Sequence, residues 1–103
     1  MDRARNDLLS KNAYEFYPGW KHLIQPLVDI CNREDIGILQ IKEKFGSLRF
    51  YTTGTSIDLE SAYKDASSKS TTTCPQCGKE NQVTQSRNGW WTSICDDCYK
   101  ARR

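Results

Sequence analysis

After Pro18-Gly19 the apolar residues Trp20, Leu23, Ile24, Leu27 and Cys31 recur at i, i+3, i+4, i+7 and i+11, which places them on one helical face. The spacing predicts a helix over 20–33. Pro26 lies inside it and withdraws the hydrogen bond to the carbonyl of His22, a defect of about 3 kcal/mol in a regular helix interior. Either the helix kinks there or Pro26 opens its second part. Upstream, the polar segment 2–11 reads as a short helix carrying Leu8 and Leu9.

The pattern then changes period. Ile36-Gly-Ile-Leu-Gln-Ile-Lys is rich in branched residues and too short for a helix of its own; Ser47-Leu-Arg-Phe-Tyr-Thr-Thr follows it. Together they predict a β-hairpin with Gly46 in its connection, Leu48 and Phe50 on one face and Arg49 and Tyr51 on the other. Thr55-Ser-Ile-Asp offers a helix N-cap, and Leu59, Ala62, Tyr63 and Ala66 repeat at helical spacing, so a second amphipathic helix ends near Ser68. The run Ser67-Ser-Lys-Ser-Thr-Thr-Thr has the composition of a linker and divides the chain into residues 1–70, an α+β domain, and 71–103.

The second piece carries the clearest chemistry. Cys74-Pro-Gln-Cys77-Gly is followed, with seventeen residues between Cys77 and Cys95, by Cys95-Asp-Asp-Cys98. This is the spacing of four-cysteine structural zinc sites, in which one tight turn brings each pair of sulfurs to a common point. Gly78 suits the position where the backbone turns away with positive φ. Between the pairs, Asn88-Gly89 ahead of Trp90-Trp-Thr predicts a hairpin. Asp96 and Asp97 suit a helix N-terminus, and Tyr99-Lys-Ala-Arg-Arg suits its body. Knuckle, hairpin and helix make a treble-clef-like module, with a two-knuckle zinc ribbon as the alternative. The fold class expected is therefore α+β: helix, β-hairpin and helix, then a zinc module with Zn²⁺ as a structural cofactor.

Composition narrows the function. With 37% hydrophobic and 27% charged residues and eleven aromatics, the chain has a core to build. No run approaches the roughly 18 apolar residues of a membrane span, and the polar start does not resemble a secretory leader, so a cytoplasmic protein is expected. Four thiolates leave zinc no open position for activated water, His22 is the only histidine, and no nucleophile or phosphate-loop motif occurs; no enzyme is expected. Cys31, on the apolar stripe, reads as a core residue.

Residues 1–68 carry nine basic and ten acidic groups and residues 69–103 six and three, but four thiolates around Zn²⁺ add −2, leaving the loaded protein near neutral. That is far from the basic footprint of a dedicated nucleic-acid binder. A protein partner is the leading expectation, held by Phe45, Arg49 and Tyr51 on the first hairpin and Trp91 on the zinc module. The stretch Lys42-Glu-Lys-Phe-Gly-Ser-Leu-Arg-Phe-Tyr is either such a binding edge or a hairpin with Phe45 folded back onto the core. DNA or RNA is the alternative partner, through Arg87, Trp90, Lys100, Arg102 and Arg103, with the aromatic ring stacking on bases.

Gly19-Trp20, the core Ile41-Lys-Glu-Lys-Phe-Gly-Ser-Leu-Arg-Phe-Tyr51, the motif Thr73-Cys-Pro-Gln-Cys-Gly78 and the downstream Gly89-Trp-Trp with its cysteines resemble a family of small zinc-binding proteins of tailed phages and prophages. The resemblance covers about residues 19–98. It implies a zinc-binding phage protein in the host cytoplasm, and by association one that binds a host protein, including a defence or replication complex.

Overall fold

The computed structural model describes residues 2–87 and 89–101. Helix α1 (Asp2–Phe16) leads through a single 3-10 turn (Pro18–Trp20) into α2 (Lys21–Arg33). Strands β1 (Ile38–Lys44) and β2 (Ser47–Thr52) form an antiparallel hairpin, and α3 (Ile57–Ser70) returns across it. A second antiparallel pair, β3 (Gln85–Arg87) and β4 (Trp90–Thr92), precedes the short α4 (Asp96–Ala101). This is the expected α+β order, and a ligand-bearing helix after the second hairpin gives the C-terminal part the order of a treble clef.

The apolar stripe of α2 builds the core. Trp20, Leu23, Ile24, Leu27, Val28 and Cys31 are all buried, against Ile38 and Leu48 of the hairpin and Leu59 and Ala66 of α3. Pro26 lies on the exposed side of the helix, where the missing bond faces water. Burial pushes the Cys31 thiol up to about 11, with the charge of Glu34 adding to it, as suits a core cysteine.

The first helix is longer than the polar segment that predicted it. It runs to Phe16, and Leu8 stays exposed while Asn6, Ser10 and Ala13 are buried. These three residues share one side of the helix, and their small volumes let it lie close to the hairpin. Asn6 secures that approach. Its amide donates to the carbonyl of Ile36 at 3.0 Å and to Asn32 Oδ1 at 3.1 Å, and its Oδ1 accepts from the N–H of Ile38 at 2.7 Å.

In the hairpin Phe45 and Gly46 occupy a two-residue turn with φ of 54° and 81°, the doubly positive combination of a type I′ turn. Leu48 and Phe50 face the core while Arg49 is half-buried and Tyr51 exposed on the other side, as alternation requires. Side chains cover the free edges. On β1 the N–H of Ile38 meets Asn6 and that of Glu43 donates to the Tyr17 hydroxyl at 3.3 Å. On β2 the N–H of Leu48 donates to Ser70 Oγ at 2.8 Å and its carbonyl accepts from the Tyr63 hydroxyl at 3.0 Å.

The Ser/Thr-rich run is not extended chain. Helix α3 starts on Ser56, whose side chain accepts from the N–H of Leu59, and runs through Ser70; Thr71–Thr73 then turn with their hydroxyls bonded back to the carbonyls of Ser68 and Lys69. Trp20 reaches this turn from below: its indole Nε1 donates to the carbonyl of Thr73 at 2.8 Å, and its ring stacks on Tyr17 at 5.4 Å between centroids.

Next to Trp20, Gly19 donates its N–H to the carbonyl of Pro75 at 2.8 Å, and a Cβ added there would sit 2.2 Å from the Cys74 carbonyl oxygen and 2.4 Å from the Gly78 nitrogen. Both obstacles are backbone, so neither can swing aside. Gly19→Ala is therefore expected to destabilise the protein by at least about 3 kcal/mol, the upper range of overpacking, and to weaken metal retention in the same variant. Urea denaturation with a metal competition assay checks this; an unchanged midpoint would show that the corner does not bear on the knuckle.

Candidate metal centre

The four paired cysteines converge although seventeen residues separate the two pairs. The Sγ atoms of Cys74, Cys77, Cys95 and Cys98 all lie within 4.8 Å of one another, and Cys77 Sγ to Cys95 Sγ is 3.7 Å. Four sulfurs at 2.3 Å from a central ion stand about 3.8 Å apart along each edge of the tetrahedron. The cluster is thus positioned to hold a metal ion in a closed, four-sulfur site.

Each pair is set by its local backbone. In the first, the N–H of Cys74 donates to the Lys79 carbonyl and the N–H of Gly78 to the Cys74 carbonyl, both at 2.9 Å, and Gly78 takes φ of 85° to close the knuckle. In the second, Cys95 lies just before α4 and Cys98 in its first turn, with the Cys98 N–H directed to Cys95 Sγ at 3.5 Å. Burial opposes ionisation of Cys74, but backbone N–H groups of Cys95, Cys77 and Gln76 outweigh it and draw the thiol down to about 7. Cys98 is pushed up, by burial first and then by the crowding of Cys95, Cys77 and Cys74.

Ile94, between β4 and the second pair, packs with Cys74 and Cys95 as the small apolar kernel of this part. Ser93 ties the kernel to the turn after α3: its hydroxyl lies 2.9 Å from the carbonyls of both Ser70 and Thr73. Ser70 stood out only through linker composition, Thr73 through that and the motif it opens, and Ser93 not at all, because their roles lie in contacts with distant backbone.

The other expected site residues fall into three places. Phe45 is at the hairpin tip and 67% exposed, so it does not fold back onto the core. Arg49 and Tyr51 share the outward face of the hairpin. Trp90 and Trp91 are 78% and 53% exposed on β4. Arg87 is engaged: its guanidinium pairs with Asp96, whose carboxyl it holds below the usual range, and lies 4.8 Å from the centroid of the Tyr99 ring. Lys100 is exposed in the last turn of α4, and Arg102 and Arg103 lie outside the described residues, as does Asn88 of the expected Asn-Gly turn; Gly89 has φ of 89°.

A groove of about 1120 Å³ opens beside the knuckle, lined by Phe16 and Tyr17 from the end of α1, Phe45 from the hairpin tip and Trp90 and Trp91 from β4. Phe16, 70% exposed at the end of α1, was not among the residues that the sequence singled out. The groove's walls come from both parts of the chain. They are held in place by the Gly46 turn against Thr84, by Thr92 donating to Glu43 at 3.1 Å, and by Gln76 donating to the Phe16 carbonyl at 3.1 Å.

Because the Trp20 indole bonds to Thr73, one residue before the first ligand, removal of the metal is expected to reach the core. Chelation should red-shift the buried Trp20 emission and lower the thermal midpoint of the whole chain, with Cys98→Ser reproducing both. A Trp90→Phe, Trp91→Phe background isolates the signal; emission from Trp20 that ignores chelator would show that the knuckle stands alone. No protein-family model, curated protein or solved structure matches this chain, so the metal centre and the aromatic groove beside it are what bear on its function.

Proposed function

We propose that the protein is a non-catalytic, zinc-stabilised binding module of the phage type that captures a host protein, such as a component of a defence or replication complex, in the host cytoplasm. The observation that carries this reading is the groove. Phe16, Phe45, Trp90 and Trp91 come from two separate elements and a turn, stand well exposed, and line one concavity. Aromatic anchors that lose their remaining water on binding are the side chains that dominate protein interfaces, at 2 kcal/mol or more each.

Zinc is the ion this donor set favours, since four thiolates in a tetrahedron suit it and leave no open coordination position. Its contribution is to replace an apolar core that a module of about thirty residues cannot build. Nucleic acid is the second reading, supported by the exposed Trp90 and Trp91. It is weakened by the pairing of Arg87 with Asp96 and by Glu15 and Glu43 in the groove wall, which oppose phosphates.

Metal analysis is expected to give one zinc per chain. Affinity capture from lysate of the host, with and without nuclease, should recover one protein by the wild type, resistant to nuclease. Phe45→Ala with Trp90→Ala should lose that protein by at least a hundredfold in affinity while keeping its zinc and its thermal midpoint. Capture that vanishes with nuclease would move the function to nucleic acid, and capture unaffected by the double substitution would sink the groove.

A further inference from the structure

The outward face of the first hairpin has a charge arrangement that the fold does not explain. Alternation places Gln40, Lys42 and Lys44 of β1 and Ser47, Arg49 and Tyr51 of β2 on that face, and the register sets Lys42 directly opposite Arg49. Like charges facing each other across a strand pair destabilise it. No carboxylate shares the face: Glu43 points the other way, toward the hydroxyl of Thr92. Among the described residues none of the three cations lies within ion-pair distance of a carboxylate, and Arg49 Nε is buried with no hydrogen-bond partner. Lys42 instead lies 5.6 Å from the centroid of the Tyr51 ring, and Lys44 5.6 Å from that of Phe45.

We propose that this face, Lys42, Lys44 and Arg49 around Tyr51, is the docking site for an acidic segment of the captured protein, whose adjoining apolar side chain enters the groove beyond Phe45. The inference rests on the protein-binding reading and names the chemistry of the partner. Three cations without counter-charges call for carboxylates, and Arg49, whose Nε is sealed off while its terminal nitrogens are not among the buried atoms, can offer that outer edge to one. Lys44 belongs both to this face and to the groove, and Phe45 follows it in the turn, so one segment can cross from charge to aromatic wall at the hairpin tip. Addition of a strand to the hairpin's edge is disfavoured, because Asn6, Tyr17, Ser70 and Tyr63 already bond the edge groups of Ile38, Glu43 and Leu48. A continuing phosphate backbone fits less well, since Glu15 and Glu43 border the path past Phe45.

The test uses the full zinc-loaded chain and three probes in NMR titrations: a dodecapeptide alternating Glu with Thr and ending in Leu-Phe, the same peptide with Lys for Glu, and a 15-mer of oligothymidylate. The acidic peptide is expected to give saturable amide shifts concentrated at residues 40–51, and the basic peptide none there. Lys42→Gln with Arg49→Gln should weaken the acidic peptide at least fivefold and leave the thermal midpoint at or above that of the wild type, because it removes a repulsion. Absence of a saturable shift at 40–51 overturns the proposal. So does tighter binding of oligothymidylate abolished by the same pair, which would assign the face to phosphates. In host-lysate capture, loss with the Phe45, Trp90 pair but not with the Lys42, Arg49 pair overturns this inference and leaves the groove reading standing; loss with neither overturns the groove reading itself.

Discussion

The contact on which the rest of the molecule depends is the backbone-to-backbone meeting of Gly19 with the first cysteine knuckle. A glycine there lets the chain pass close enough for its N–H to reach the Pro75 carbonyl, and the same approach puts the Trp20 indole under the Thr73 carbonyl. The largest side chain of the core is thereby attached at one end to the α2 stripe and at the other to the residue preceding a metal ligand. Ligation and core packing are consequently joined: whatever fixes Cys74 also fixes the N-terminal end of α2.

Around that corner a set of small polar side chains does what a larger protein does with apolar volume. Asn6, Ser70 and Ser93 are buried, and each bonds backbone groups of elements far away in sequence. A buried N–H or carbonyl left without a partner costs about 1–3 kcal/mol, so each of these residues specifies one placement of the elements it joins. Asn6 sets α1 against the hairpin, Ser70 sets the hairpin against α3, and Ser93 sets the metal-binding part against the end of α3. Their combined effect is to hold the tip of the first hairpin beside β4, which creates the aromatic groove.

The functional reading follows from what this framework leaves outside. Alternation sends Leu48 and Phe50 inward and Lys42, Arg49 and Tyr51 outward, and the type I′ turn projects Phe45 into solvent. Large aromatics exposed together, and cations facing each other without counter-charges, each lower the stability of the free protein, and both gain from a partner that covers them. The four converging sulfurs lie at the base of the wall formed by β4, which carries Trp90 and Trp91 and leads into the second cysteine pair.

The local patterns were sufficient for much of this. The helical stripe from Trp20 to Cys31, the two faces of the hairpin, the Ser56 cap of α3 and the four cysteines at paired spacing are all encoded within short windows, where side-chain periodicity and ligand spacing act directly on the backbone. What those windows could not contain are contacts between distant residues. Leu8 and Leu9 were the apolar marks of a helix in the polar start; Leu9 packs partly buried against the core, and Asn6, Ser10 and Ala13 are buried beside it, where close packing against the hairpin selects small volume and hydrogen-bonding reach over hydrophobicity. The Ser/Thr-rich run looked like a linker, since its hydroxyls find partners only once α3, the knuckle and Ser93 are assembled. Arg87 read as a free cation until the fold brought Asp96 and Tyr99 to it. The groove likewise has no signature in the chain: Phe16, Phe45 and Trp90 are far apart in sequence, and only the docking of the hairpin tip against the metal-binding part makes them neighbours.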